Sequence, residues 1–481
     1  MPNTRLFIGG VWLPSADGGE IDVVDPATEK PLATLSAATA ADVDAAVQAA
    51  RRAFESGPWP ELSGSERGRL LWKLADLIER DRETLARLEA ADVGRPFNEP
   101  FLFEIPLAAD TFRYFAGLAD KVTGSTFSLP PFAGRDRMSY TLRQPVGVVG
   151  AITPWNAPTM ILSWKLAPAL AVGNTVVVKP AELASLSTLH IAQLIQEAGF
   201  PDGVVNVMTG SGAVAGEALV RHDDVDKISF TGSPEVGRRI ASIAGDGLKK
   251  VTLELGGKSP QIIRADADLA QALPVVANAN FANQGQTCAA GSRVLVHESR
   301  VEEVAAGLAE IARSIVVGDP MSPETTMGAL ASRAQLDRVR RYVESGIAEG
   351  ARLIIGGSQI GDTGFFFAPT VFIGTNDMTI AREEIFGPVA TVIPYADDAE
   401  ALRLANDTAY GLTAVLWTND ATAIARYTKA LKTGSVWINA WGPPHPALPW
   451  SGQRSSGVGV ELGTEAITAN TVEKTVNFIS G

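Results

Sequence analysis

The chain has 481 residues, of which 46% are hydrophobic and 20% are charged, and its formal net charge is −13. This length predicts two or three domains. The acidic excess disfavours a nucleic-acid partner, because binding to phosphates needs clustered Lys and Arg. A single cysteine excludes an internal disulfide and suits a reducing compartment. No Cys/His cluster has the spacing of metal ligands, no signal peptide is recognisable, and no apolar run is long enough to span a membrane. We therefore expect a cytoplasmic protein without a metal or membrane partner.

The N-terminal part has the pattern of a helical scaffold. Two short strands are predicted around a Gly-Gly turn in Phe7–Trp12, followed by a helix over Ala41–Ser56. A second helix contains Leu70–Ile78, and a third runs from Phe101 to Ala119. The segment Ser125–Gln144 interrupts this pattern with two prolines and then an alternating, strand-like stretch. It is therefore predicted to leave the main domain.

From Pro145 to Leu255, short apolar runs alternate with helical stretches. This alternation predicts a parallel sheet that is covered on both faces, with ligands at the carboxyl ends of its strands. The predicted strands are Val146–Ile152, Thr175–Val178, Val204–Val207, Lys227–Phe230 and Val251–Leu255. The predicted helices are Pro158–Val172, Leu183–Ala198, Ala213–Arg221 and Pro234–Ile243.

A second α/β domain is predicted beyond a boundary at Gly256–Pro260, and the alternating segment Thr471–Ile479 near the end could form a strand. The helices of the second domain are predicted near Leu269–Asn283, Arg300–Ser314, Gln335–Glu349, Ala399–Asn406 and Thr422–Ala430. Its strands are predicted near Val294–His297, Val371–Ile373, Val389–Pro394, Ala414–Trp417 and Gly434–Ile438.

The lone cysteine, Cys288, lies between small residues and glycines in Asn283–Arg293. A thiolate is a strong nucleophile toward carbonyl carbon. A single cysteine is, however, more often an inert, buried, hydrophobic residue. Its surroundings in the fold must therefore decide between the two interpretations.

Four polar sites follow predicted strands at their carboxyl ends. Asn156, held between prolines, offers an amide suited to an oxyanion hole, and Glu254 ends an apolar strand where burial would raise its pKa toward that of a general base. Lys179 and Glu182 could bind a ribose, and Ser233 caps a helix whose N–H groups could bind a pyrophosphate. Separately, each has an ordinary alternative as a turn, a cap or a solvated side chain. Together they predict one crevice, with Cys288 a little further along the chain.

In this order, six motifs make the chain resemble the NAD(P)-dependent aldehyde dehydrogenase superfamily over nearly its whole length. They are Thr153-Pro154-Trp155-Asn156, Lys179-Pro180-Ala181-Glu182, Phe230-Thr231-Gly232-Ser233, Leu253-Glu254-Leu255-Gly256-Gly257-Lys258, Gly285-Gln286-Thr287-Cys288 and Glu383-Glu384-Ile385-Phe386-Gly387-Pro388. The resemblance implies a Rossmann-like NAD-binding domain (1–121 and 146–256), an α/β catalytic domain (257–468) and a small β oligomerisation domain (122–145 and 469–481). It also implies a homodimer or a homotetramer.

The resemblance also implies a role for each site residue. Cys288 would attack the aldehyde, Asn156 would hold the oxyanion and Glu254 would activate the water that hydrolyses a thioester. Lys165 and Glu461 match positions that could exchange protons with this base. The implied cofactor-binding residues are Thr153, Trp155, Lys179, Glu182, Gly212, Thr231, Gly232, Ser233, Gly237, Leu255, Glu384 and Phe386. Gly212 lies in Gly210–Gly216, which has one residue too many for the dinucleotide fingerprint.

Glu182 favours NAD over NADP, because a carboxylate repels a 2′-phosphate. The substrate is predicted to be a neutral, bulky aldehyde, aromatic or of medium chain length, because Ala157 is small and Trp164, Trp441 and Trp450 could line an apolar pocket. Gly459-Val460-Glu461 replaces the family's usual Gly-Arg-Glu, which affects one interface contact. The segment Trp450–Arg454 also departs from the family pattern, and this weakens inference about the substrate from relatives. The alternatives are a CoA-acylating dehydrogenase and a non-catalytic protein that retains the fold.

Overall fold

The computed structural model of the protein describes residues 2–480. Its strands, numbered β1 to β20, are Leu6–Ile8, Val11–Leu13, Glu20–Val24, Pro31–Ser36, Thr126–Phe127, Arg137–Pro145, Val148–Ile152, Thr175–Lys179, Val205–Val207, Lys227–Thr231, Lys250–Glu254, Pro260–Ile263, Arg293–His297, Arg352–Ile355, Thr370–Ile373, Val389–Tyr395, Thr413–Trp417, Ser435–Ile438, Gly457–Val458 and Thr471–Ile479.

The α-helices, numbered α1 to α15, are Ala40–Glu55, Gly64–Arg80, Arg82–Val93, Ile105–Leu118, Pro158–Ala171, Leu186–Ala198, Glu217–Arg221, Pro234–Asp246, Leu269–Phe281, Val301–Ser314, Arg333–Ala348, Thr379–Arg382, Asp398–Asn406, Ala421–Ala430 and Glu465–Ala469. Helices α1 and α2 begin with capping boxes, in which Thr39 pairs with Asp42 and Ser63 pairs with Glu66. Such reciprocal pairs satisfy N–H groups that the helix itself leaves free.

The first sheet has eight strands in the order β19-β11-β10-β7-β8-β9-β1-β2. The five central strands, from β11 to β9, are parallel, which confirms the predicted α/β architecture. Strands β7 and β8 are buried along their whole length, as expected for apolar strands covered on both faces. The chain moves outward from β7 through β8 to β9, and then returns to add β10 on the other side of β7. This reversal opens a crevice between β7 and β10 at their carboxyl ends.

The second sheet has seven strands in the order β14-β15-β16-β13-β12-β17-β18, all parallel except for the β14–β15 pair. Its interior strand β12 begins at Pro260, the last residue of the stretch predicted as a domain boundary, and continues beyond it. That prediction missed the strand because β12 begins with Pro260. Proline is disfavoured inside a central strand but is tolerated at the first residue, where it lies here.

Two smaller sheets complete the fold. Strand β20 pairs with β6 over nine residue pairs, and β5 pairs with the other edge of β6, so the end of the chain joins the segment that leaves the helical part. Strands β3 and β4 form an antiparallel hairpin that the sequence patterns did not predict.

Two predicted helices are interrupted in the structure. The predicted helix Phe101–Ala119 begins instead with a π-helical turn at Pro100–Glu104, and Ala213–Arg221 divides into a π-helical turn at Gly212–Gly216 and the short α7. Helix α3, which was not predicted, has only a weak separation of apolar and polar faces. In residues 2–480, none of the helices is long and apolar enough to cross a membrane.

Candidate active site

The crevice between β7 and β10 opens into a cavity of about 440 Å³, which is within the usual size of a small-molecule site. One wall is formed by Trp155 and Asn156, which follow β7, and another by Gly232 and Ser233, which follow β10. Cys288 also lines this cavity. The structure therefore brings the only thiol of the chain to the carboxyl edge of the first sheet, although Cys288 comes from the segment leading into the second sheet.

The backbone in front of Cys288 has an unusual conformation. Asn283, Gln284 and Gly285 follow one another with φ angles of 49°, 55° and 69°. Left-handed conformations are unfavourable for residues other than glycine, so contacts from neighbouring segments must hold this turn. The backbone N–H of Asn283 donates to Glu99 at 3.1 Å, and its side-chain amide donates to the carbonyl of Asn156 at 2.8 Å.

Glycine at position 257 is required for the close contact between this turn and the first sheet. A Cβ atom there would lie 2.3 Å from the carbonyl oxygen of Cys288. That separation is too short for non-bonded atoms. Gly257 therefore lets β11 and the thiol-bearing loop approach closely at the site.

Asn156 is buried, and its side-chain amide donates to the carbonyl of Gln286 at 2.9 Å. The Asn NH₂ group carries two hydrogens, and one remains for a ligand in the cavity. Arg95, itself buried beside Glu89, Glu99 and Glu104, also approaches the Asn156 carbonyl at 3.3 Å. The amide is thus fixed from both sides, as a preorganised oxyanion donor should be.

Glu254, the last residue of β11, is 3% exposed, and neither of its carboxylate oxygens has a hydrogen-bond partner. Burial raises the pKa of Glu254 well above its ordinary value; the charge of Glu461 adds to this rise and that of Lys165 opposes it. A carboxylate held in this way binds a proton readily and is suited to general-base chemistry near neutral pH.

Burial raises the pKa of Cys288 to about 12, and the negative charges of Glu384 and Glu254 contribute to the rise. The thiol is therefore protonated at neutral pH. A nucleophile in this state needs a base to accept its proton or a positive charge to stabilise the thiolate.

Lys165 and Glu461 form a buried ion pair with a distance of 2.6 Å between Nζ and Oε1. Ser229 and Thr231, both on β10, complete the set: Lys165 donates to Thr231 at 2.8 Å, and Ser229 donates to Glu461 at 2.8 Å. The sequence prediction placed Lys165 and Glu461 near the base, and the structure places them where their charges act on Glu254.

The predicted ribose-binding residues lie one strand away from the cavity. Lys179 ends β8, and its Nζ lies 3.3 Å from Glu182, whose other carboxylate oxygen accepts from the backbone N–H of Gly212. Burial lowers the pKa of Lys179, and the charge of Glu182 opposes this shift. Thr153 is held here too, because its N–H donates to the Lys179 carbonyl. These residues lie at the edge of the sheet that carries the crevice but do not line the cavity itself.

The remaining predicted cofactor contacts surround the N-terminus of α8. Ser233 caps this helix by accepting from the N–H of Val236, and Thr231 and Leu255 line the cavity beside it. Gly237 allows α8 to pack against β11, because a Cβ there would lie 2.5 Å from the side chain of Leu255.

The opposite wall carries Glu384 and Phe386. Burial raises the pKa of Glu384 to about 7, although the N–H of Gly257 donates to this carboxylate. Gly256 gives Glu384 the space it needs, since a Cβ there would collide with the carboxylate. Phe386 has a φ of 60° and packs edge-on against Trp155, with ring centroids 5.3 Å apart.

Several cavity residues were not predicted. Gln335 and Arg338 from α11 donate to the backbone carbonyls of the Glu384–Phe386 segment and so hold it in place. Arg238 and Tyr410 also line the cavity. No local pattern marks any of the four, because each reaches the cavity only through the packing of distant elements.

The tryptophans predicted to line an apolar pocket do not line the cavity that contains Cys288. Trp164 and Trp450 are buried, with ring centroids 6.0 Å apart, in the same apolar cluster that contacts Cys288. Trp441 donates its indole N–H to the carbonyl of Ala289 at 3.2 Å. Ala157 is buried in that cluster as well. Trp164, Trp450 and Ala157 thus belong to the large apolar core that Cys288 contacts, but they do not form the wall of its cavity.

Comparison with known proteins identifies relatives along almost the whole chain. The model of the aldehyde dehydrogenase family matches residues 12–476. The chain is 44% identical over 480 residues to an aldehyde dehydrogenase of Alternaria alternata, covering 99% of this chain and 96% of that one. It is 46% identical over 476 residues to retinal dehydrogenase 2 of Homo sapiens, covering 98% and 91%. A solved NAD⁺ complex of an aldehyde dehydrogenase from Bacillus cereus superimposes with a TM-score of 0.97 at 44% identity, covering 99% and 96%.

The raised pKa of Cys288 predicts slow alkylation of the protein without ligands. At pH 7.5, iodoacetamide should modify Cys288 about tenfold or more slowly than it modifies free cysteine, whose pKa is about 8.5. The rate should still be rising at pH 9.5, because the thiolate population increases up to the high pKa. Mass spectrometry gives an unambiguous rate, since Cys288 is the only cysteine.

The control is Glu254→Gln, which removes one of the negative charges that raise the thiol pKa. Alkylation of this variant should be faster at pH values above the raised pKa of Glu254, where the wild-type carboxylate is charged. A wild-type rate that levels off near pH 8 would contradict the raised pKa of the thiol.

Proposed function

The chain belongs to the aldehyde dehydrogenase family, and we propose that it oxidises a neutral, bulky aldehyde to the carboxylic acid with NAD as the electron acceptor. The observation that carries this proposal is the grouping of the Cys288 thiol and the Asn156 amide in one cavity, with the buried carboxylate of Glu254 close enough for its charge to raise the thiol pKa. These are the nucleophile, the oxyanion donor and the base that hydrolytic aldehyde oxidation requires.

The residues at the site fit a dinucleotide. The capped N-terminus of α8 offers free N–H groups to a pyrophosphate, and Glu182 lies at the adjacent strand end, where its partly exposed carboxylate could accept from ribose hydroxyls. Glu384 lies against Gly256 and Gly257 on the opposite wall, ready to bind a second ribose beside Phe386. When bound, NAD supplies the hydride acceptor for the oxidation.

We assign the attack on the aldehyde to Cys288. The sulfur forms a bond to the carbonyl carbon while the thiol proton passes to a base, for which Glu254 is the candidate. The developing oxyanion accepts from the free N–H of Asn156. Since Asn156 is held by Gln286 and by Asn283, the donor needs little reorganisation when charge develops.

The thiohemiacetal carbon loses its hydride and leaves a thioester on Cys288. Glu254, once it has released the thiol proton, is also the candidate base for hydrolysis of this thioester. It takes a proton from water, whose oxygen attacks the thioester carbon, and the bond to the Cys288 sulfur breaks to release the acid. A base acts in its deprotonated form. The rate of this step should therefore increase as the pH rises through the raised pKa of Glu254. Lys165 and Glu461 lie where they can exchange the proton onward.

The preference for a bulky neutral substrate rests on the apolar core that the thiol contacts on one side. Trp164, Trp450 and Ala157 belong to one apolar cluster that contacts Cys288. A charged substrate would lose hydration there without finding a partner. The human relative named retinal dehydrogenase 2 is consistent with a substrate of this kind.

We further propose a homodimer or a homotetramer, and the three domain boundaries given by the family resemblance. Large apolar side chains are exposed on the three-stranded sheet, among them Phe127, Met138 and Phe478. Such a patch is typical of an interface. The molar mass from light scattering distinguishes the two assemblies from each other and from a monomer.

The reaction is tested with purified protein, NAD and a panel of aldehydes, followed by NADH absorbance with and without CoA. Turnover should not require CoA. Glu254→Gln should lower kcat by about 10²-fold or more, the usual contribution of a general base. The wild-type kcat should rise with pH in a limb above the ordinary carboxylate range.

The matched control is Glu235→Gln, which removes an exposed carboxylate from the wall of the cavity and should leave kcat nearly unchanged. Turnover only in the presence of CoA would show that Glu254 does not deacylate the enzyme and would favour the acyl-CoA-forming alternative.

The coenzyme preference depends on Glu182. Glu182→Ser should lower the ratio of kcat/KM for NAD to that for NADP by about tenfold or more, because the repulsion of a 2′-phosphate is removed. Steady-state kinetics with each coenzyme at a saturating aldehyde concentration measures the ratio. Equal use of both coenzymes by the wild type would mean that the carboxylate turns away from the ribose.

The substrate class depends on the space at Ala157. Ala157→Phe should lower kcat/KM for aromatic and medium-chain aldehydes by about tenfold and change that for propanal much less, because the added ring occupies the apolar cluster. Propanal serves as the internal control. Highest kcat/KM for small charged semialdehydes with the wild type would contradict the proposed substrate class.

A further inference from the structure

One face of β10 and β11 carries a row of polar side chains in an otherwise apolar sheet. The two strands are parallel, with Lys227 opposite Lys250, Ser229 opposite Thr252 and Thr231 opposite Glu254. Because side chains alternate along a strand, all six project from the same face. The row begins at the exposed Lys250 and ends about 13 Å further along the strands at the candidate base, Glu254.

The start of this row, opposite Lys250, contains a second buried amine, which the mechanism above does not use. Lys227 is 2% exposed, and its Nζ donates to the carbonyl of Ala469 at 3.0 Å and to Oδ1 of Asn470 at 2.9 Å. An ammonium group has three hydrogens, so one position on Nζ is free of these two contacts.

A small cavity of about 10 Å³ separates Lys227 from the ion pair near the base. It is lined by Lys165, Lys227, Ser229 and Glu461 among other residues, and it is large enough for a single water molecule. Four polar groups around such a volume suit a bridging water. Since Ser229 also donates to Glu461, only this cavity interrupts the polar path between Lys227 and Glu461.

Charged groups from three elements act on Lys227. Burial lowers the pKa of Lys227 to about 7; Glu461 opposes this, while Lys165 of α5 and Lys250 of β11 lower the pKa further. The amine can therefore change its protonation state near neutral pH, in contrast to an exposed lysine.

We propose that Lys227 is the outer group of a proton path that carries protons from Glu254 through Glu461 to solvent at the Lys250 end of β10 and β11. This inference rests on the proposed function. Oxidation of an aldehyde by NAD and water gives the carboxylate, NADH and two protons, and a buried base must lose its proton before the next turnover. Lys227 touches neither substrate nor cofactor, and is thus a positioning residue for proton exchange.

The transfer balances without another reactant. Protonated Glu254 first gives its proton to the Glu461 carboxylate, which breaks an O–H bond at Glu254 and forms one at Glu461. Protonated Glu461 then gives its proton to the water in the cavity as that water gives a proton to the neutral amine of Lys227. An O–H bond breaks at Glu461 and an N–H bond forms at Lys227. The resulting ammonium loses its proton to solvent near Lys250, and the amine is restored.

The test compares Lys227→Met with Lys250→Met by measuring kcat from pH 6 to pH 9. Lys250 is the matched control, because it also donates to a C-terminal carbonyl, that of Thr471, but does not line the cavity. Lys227→Met should lower kcat at pH 7 by about tenfold, move the acidic limb upward by about one pH unit, and regain activity as imidazole buffer is added. The single-turnover yield of NADH should stay at one per site. Lys250→Met should keep the wild-type kcat on the plateau and show no dependence on imidazole, and its limb should move only by the upward shift in the Lys227 pKa that loss of the Lys250 charge produces.

A purely structural role would lower kcat equally at all pH values, with no rescue by buffer, and this result would overturn the proposal. If Lys227→Met does not fold, Lys227→Arg tests the same path, because a guanidinium can donate to Ala469 and Asn470 but does not release a proton at these pH values. A wild-type pH profile for Lys227→Arg would then overturn it. Absence of NADH formation by the wild type with every aldehyde would instead overturn the proposed function, and this inference with it.

Discussion

The burial of the Glu254 carboxylate without a hydrogen-bond partner is the constraint on which the site depends. Removing a carboxylate from water is costly, and a protein ordinarily compensates with hydrogen bonds or a direct ion pair. Here both carboxylate oxygens lack hydrogen bonds. The compensating charge of Lys165 acts from a distance and is shared with Glu461. Burial thus disfavours the ionised form of Glu254, and the carboxylate, once ionised, readily takes a proton from a thiol or a water molecule.

Two other parts of the site have a strained backbone that neighbouring segments hold in place. The turn before Cys288 contains two left-handed residues that are not glycine, and Phe386 on the opposite wall is a third. Each is fixed by contacts from another element: Glu99 and Asn156 hold the first turn, and α11 holds the second. Strained backbone that persists near a reactive group is typical of preorganised sites.

The parallel strands and the crevice could be predicted because short apolar runs and the polar residues that end them lie within a few residues of one another. Strand β12 could not, since Pro260 argues locally against a strand and only pairing with β13 and β17 overrides it. The burial of Glu254 followed from its flanking leucines. The roles of Arg338 and Gln335 did not, because the carbonyls they bind lie about fifty residues away, in a segment whose path depends on the second sheet.

The short strand β19 pairs with β11 beside Glu254 and so joins a late segment of the chain to the first sheet. Three residues later, Glu461 meets Lys165 across a sequence separation of 296 residues. During synthesis from the N-terminus, the thiol and the base are therefore made well before the ionic partner of Lys165. A chain truncated before Glu461 would leave the buried amine of Lys165 without its counter-charge.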